Sequence, residues 1–144
     1  MNPKQFLTIG GVILLLLGIV GLVLPGGQLL GNSWYLTTGE NVAHLVLGGV
    51  ALAAVFVPGL TSALAPYYKY IVLLVGVVAL FFGLYGFLVA SVPPLNTFGL
   101  ANLENPYDNI LHLVVGAWAF WAGLQKEGTA QPAAPQTPPS ANQP

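Results

Sequence analysis

Asn105–Gly123 reads NPYDNILHLVVGAWAFWAG, and the same pattern stands earlier at Thr37–Val55, TTGENVAHLVLGGVALAAV. Superposed, the two put acid on acid (Glu40, Asp108), Asn on Asn (Asn41, Asn109), His on His (His44, His112) and Gly on Gly (Gly48, Gly116). The chain has 2 histidines, and both occupy the same place in this pattern. The segments upstream match as well. Gly11–Gly21, GVILLLLGIVG, lies over Gly76–Gly86, GVVALFFGLYG. A helical hairpin written twice is the expectation, one copy over residues 6–57 and the second over 70–125.

Composition places these hairpins in a bilayer. Of the 144 residues, 56% are hydrophobic and 5% charged, too few charges to coat a soluble domain of this size. The apolar residues gather into blocks of about 20, the length of a helix that crosses a hydrocarbon core. A net charge of −1 offers no basic face to nucleic acid. With 0 cysteines there is no disulfide framework and no thiolate site.

Taken in order, Phe6–Leu24 is apolar throughout and stops at Pro25-Gly26-Gly27, a turn signal. It is longer than the apolar region of a signal peptide and lacks a small-residue cleavage site, so it reads as a retained first span. Thr37 with Glu40 forms a capping-box pattern for the second helix, which runs to Val57 before Pro58-Gly59. Leu60–Lys69 reads as a connection, and the third span covers Tyr70–Val92. Asn105 is placed to cap the fourth helix, with Pro106 at its first position and Asp108 at its third.

The fold expected for residues 1–127 is therefore all-α, a four-transmembrane-helix bundle built from two tandem helical hairpins. Residues 128–144, rich in Pro, Ala and Gln, read as a disordered cytoplasmic tail. Lys4, Lys69 and Lys126 fall on one side of a four-span chain, which the positive-inside rule makes cytoplasmic for both termini.

Near the opposite boundary stands a structural polar cluster of Glu40, Asn41, His44, Asp108, Asn109 and His112. An acid four residues before a histidine is the favourable order on a helix. Each carboxylate is thus expected to accept from its helix cap or from its imidazole. The simplest role for the cluster is to fix packing. The alternative is a cofactor: a b-type haem held by His44 and His112, or a divalent metal bound by the histidines and carboxylates, for which no ligand set is assigned. With the helices in chain order around a square, the second and fourth would be diagonal, about 11–14 Å apart, room for a porphyrin on edge. No catalytic residue is expected, because Ser33, Ser62 and Ser91 have no neighbouring base.

The run FGLANLENPYDNILHLVVGAWAFWAG, with Phe98, Gly99, Asn109, His112, Leu113 and Gly116, resembles the signature of a family of small bacterial four-span membrane proteins, a domain of unknown function. Asn41, His44, Leu45 and Gly48 repeat its core. The resemblance implies the four-span fold and a bacterial inner (plasma) membrane, and no activity. The expected role is a non-catalytic structural or accessory subunit whose partners are the lipid bilayer and a larger membrane complex.

Overall fold

The computed structural model describes residues 1–29 and 34–125. Lys126 and the Pro-rich tail lie outside the described residues. Those described are helical, without strands: α1 (Pro3–Val23), α2 (Thr38–Phe56), α3 (Pro58–Leu64), α4 (Tyr68–Leu88) and α5 (Tyr107–Leu124). The expected connection after α2 is itself helical. Pro58 opens α3, whose geometry its fixed φ suits, and a 3₁₀ turn at Ala65–Tyr67 leads into α4.

Three helical stretches are long and apolar enough to cross a membrane: Pro3–Val23, Thr38–Phe56 and the continuous Pro58–Leu88. Their surfaces carry exposed aliphatic side chains, among them Leu16, Val46, Val50, Leu74 and Leu84. Such a coat is untenable in water and ordinary against acyl chains. The chain is a membrane protein. α5 falls outside that group because its first turns carry Asp108, Asn109 and His112.

α1 packs along α2, and α4 along α5. Glycines set the closeness of both contacts, as small residues do where membrane helices meet. A Cβ on Gly18 would lie 2.7 Å from Leu45 and 2.8 Å from the Asn41 carbonyl oxygen. On Gly83 it would lie 2.8 Å from Leu113 and 2.9 Å from the Asn109 carbonyl oxygen. Gly48 faces Leu15 and Gly116 faces Leu80 in the same way. The contacts of one hairpin thus correspond to those of the other residue by residue.

The hairpins meet differently at their two ends. At the end carrying the chain start, Phe6, Leu7, Ala54, Val55, Tyr68, Val72, Ala119 and Ala122 form an apolar core drawn from all four long helices. Phe6 meets Trp118 edge to face at 4.5 Å, and the Tyr68 hydroxyl donates to the Ala54 carbonyl at 2.7 Å, joining the start of α4 to the end of α2. α1 touches both α4 and α5, so the helices are not the ring in chain order that the square arrangement supposed. At the other end the contact is polar and made by loops.

Candidate functional site

The two helices bearing the repeated pattern begin in different ways. α2 starts as its sequence indicates. Thr37 Oγ1 accepts from the Glu40 N–H at 3.3 Å, and the Glu40 carboxylate accepts from the Thr37 N–H at 2.6 Å. This reciprocal pair satisfies two donors that a helix start leaves open. α5 does not start as expected. It begins at Tyr107 after a cis Asn105–Pro106 peptide, and no side chain caps it. Asn105 instead uses its Oδ1 to accept from Asn109 Nδ2 at 3.2 Å.

Asp108 ties a residue before the helix start instead, and makes a long-range bond as well. Its Oδ2 accepts from the Glu104 N–H at 3.0 Å, and its Oδ1 accepts from the Trp34 indole N–H at 2.5 Å. Trp34 belongs to the first loop, so this bond joins the hairpins. A short ladder positions it. Gly27, with φ of 68°, turns the chain so that its carbonyl accepts from the Leu36 N–H at 2.9 Å, and Leu29 N–H donates to the Trp34 carbonyl at 2.9 Å. A Cβ at Gly27 would also fall 2.1 Å from the Leu36 oxygen, which fixes the residue as glycine.

The second loop is organised by buried asparagines. Asn96 Oδ1 accepts from the Leu103 N–H at 2.9 Å while its Nδ2 donates to the Leu103 carbonyl at 3.2 Å. Asn102 Oδ1 accepts from the Leu95 N–H, and its Nδ2 reaches both the Tyr35 hydroxyl of the first loop and the Glu104 carboxylate. Phe98 stacks on Tyr85, which stacks on Phe81, holding the loop against α4. The Leu100 carbonyl lies over Gly39 at the start of α2, 2.0 Å from where a Cβ would stand.

Three carboxylates are thereby gathered between the hairpins: Glu40 from α2, Glu104 from the second loop and Asp108 from α5. Asp108 is 4% exposed and Glu104 9%. Burial, then the neighbouring Asp108 and Glu40 carboxylates, push the Glu104 carboxyl up to about 8. Burial and the same three acids push the Tyr35 phenol above its ordinary range.

The histidines are half-buried, and neither bonds to the carboxylate four residues before it. His112 Nδ1 lies 2.7 Å from the Asp108 backbone carbonyl. A carbonyl only accepts, so Nδ1 carries the proton there. Its ring sits 6.0 Å from Phe82. His44 Nδ1 is buried with no hydrogen-bond partner. The expected acid–imidazole pairs are absent because both acids are already engaged: Glu40 by its cap, Asp108 by Trp34 and the Glu104 amide.

Asn41 and Asn109 form a second matched pair. They are 2% and 0% exposed, and their Oδ1 atoms find no donor. Each oxygen is pressed onto a glycine of the neighbouring helix, Asn41 on Gly21 and Asn109 on Gly86. A Cβ there would stand 1.9 Å and 1.7 Å from the respective oxygen. These are Cα–H···O contacts, the kind that recurs where helix backbones approach closely.

No group of three or more His, Asp or Glu side chains among the described residues is arranged to hold a metal ion. An open cleft of about 330 Å³ beside the first loop is lined by Gly27, Tyr35, Leu36, Thr37 and Asn41, and neither histidine reaches it. Trp34, Tyr35, Asn96, Asn102 and Glu104 were not among the residues expected to build the cluster. Their signal in the sequence is the Asn-rich run between two apolar spans, too polar for a simple turn. The chain matches no family model, no curated protein and no solved structure.

Proposed function

We propose that the protein is a four-span integral membrane protein made by duplication of one helical hairpin, with both termini cytoplasmic. In this reading it serves as a non-catalytic structural or accessory subunit of an assembly in the bacterial inner membrane. The likeness to the uncharacterised four-span family belongs to the same proposal. One observation carries it: four polar side chains at the loop end, Asp108, Glu104, Asn96 and Asn102, bond to another segment or within their own loop. Such a network fixes the relation of two hairpins.

α5 carries only 18 residues and polar first turns, yet from Leu113 onward it is apolar and packed along α4. That pairing supports its crossing with the others. Topology reporters fused to each terminus test the arrangement, and both should read cytoplasmic. Purification in mild detergent tests the role. A colourless, metal-free protein that brings stoichiometric membrane partners is the expected outcome.

A second reading, a haem or metal carrier using His44 and His112, is favoured by the partnerless His44 Nδ1. A visible Soret band that His44→Ala and His112→Ala both remove would establish it. The bulky Trp118 and Phe120 stand farther along α5, so such a group would have to sit at the loop end.

A further inference from the structure

The acids between the loops pose a physical problem. Glu40, Glu104 and Asp108 approach one another in a buried place, and no lysine belongs to either loop or to the first turns of α2 or α5. Lys4 and Lys69 lie at the opposite end, beside Phe6 and Tyr68 of the apolar core. Three like charges drawn together without a cation would drive the loops apart.

Glu104 holds the resolution. One of its oxygens, Oε1, accepts from Asn102 Nδ2. The other, Oε2, is buried and meets no donor, although the residue is only 9% exposed. Its carboxyl is within hydrogen-bonding range of Asp108, an acceptor in its ionised form. Two carboxyl oxygens facing each other without a donor are repulsive when both groups are ionised. With one proton between them they make a strong charge-assisted bond. Asp108 has its oxygens engaged by two N–H donors, from Trp34 and from Glu104 itself. Both Asp108 oxygens are acceptors in those bonds, so the donor between the two carboxyls belongs on Glu104.

We propose that a single proton on Glu104, donated to Asp108, latches the two loops together, and that its loss on the alkaline side releases the hairpins from each other at this end. The groups facing Glu104 are Asp108 on α5, Glu40 on α2 and the Tyr35 phenol on the first loop, all acids. The imidazoles nearby are His44 on α2, whose Nδ1 has no partner, and His112 on α5, whose Nδ1 is bound to the Asp108 carbonyl. No lysine stands among these groups to replace the lost proton.

The sign of the linkage follows. An ordinary carboxyl sheds its proton near 4.5, while Glu104 in the folded protein keeps it to about 8. The folded state binds more protons than the unfolded across that interval. Stability is thus greatest on the acid side, declines as pH rises through the interval, and has lost the whole contribution above the folded value.

The test uses the full chain in detergent, with thermal unfolding followed from about pH 6 to about pH 10. Wild type should lose about 5 °C or more in melting temperature across the lower half of that range and level off above it. Around pH 8, where folded Glu104 gives up its proton, the emission of Trp34, in a Trp118→Phe, Trp121→Phe background, should shift as its indole leaves Asp108. Glu104→Gln keeps a donor toward Asp108 and cannot ionise, so its melting temperature and Trp34 emission should be flat. Asp108→Asn removes the facing charge and should move the transition toward acid by at least a unit. A flat wild-type profile overturns the proposal, and so does a Glu104→Gln profile that declines like wild type. If Glu104→Gln does not fold, the wild-type emission profile and the Asp108→Asn midpoint still decide.

Discussion

The two hairpins are alike through their middles and unlike at their loops. Along the helices, Gly18–Leu45 and Gly21–Asn41 in the first are answered by Gly83–Leu113 and Gly86–Asn109 in the second. At the loop end the likeness stops. α2 closes on its own capping box, whereas α5 relies on Asp108, which also reaches across to Trp34. The contrast separates two tasks. Packing two helices in lipid needs the same small residues at the same spacing each time. Joining two hairpins side by side needs unequal loops: the first donates through Trp34 to Asp108 and accepts at Tyr35 from Asn102.

Substitutions can break this comparison. The largest difference is expected between the two acids. Asp108→Ala strands the Trp34 indole and the Glu104 amide and should cost about 3 kcal/mol, since bonds to a buried charged group are the strong ones. Glu40→Ala removes one capping partner and also relieves repulsion toward Asp108, so about 1 kcal/mol or less is expected. Unfolding in detergent measures both. Equal losses would mean that the hairpins do not divide the work in this way.

Next come the matched glycines. Gly21→Ala and Gly86→Ala should each cost about 1–3 kcal/mol by overpacking against an asparagine amide, and the two losses should agree. A silent substitution at either place would end the correspondence. Smallest is Gly49→Ala. Nothing lies within 4 Å of the added methyl, so helix propensity alone acts and should stabilise by up to about 1 kcal/mol. Gly116→Ala, whose methyl would stand 2.7 Å from Leu80, should destabilise and so sharpen the distinction between lipid-facing and helix-facing glycines.

What was legible in the sequence follows the same division. Helix positions, the glycine register and the Thr37–Glu40 box are local or periodic, and a linear reading reaches them. The ties between Trp34 and Asp108 and between Tyr35 and Asn102 are 74 and 67 residues apart, and no periodicity points to them. Of the two roles open to each acid, backbone or imidazole, the structure takes the backbone for a physical reason. A carboxylate in the first turn of a helix has backbone amides closer at hand than a ring one turn on, and these take it first. Asn105 was expected to cap α5, but its side chain is turned along the helix to Asn109.

The indole–carboxylate bond also sets an order of events during synthesis. α1 and α2 can settle against each other as soon as both have left the ribosome, because their contacts are near neighbours in the chain. Asp108 is made much later, so Trp34 waits without its acceptor until the last helix arrives. The half-made protein therefore displays an unsatisfied indole donor that the finished one hides.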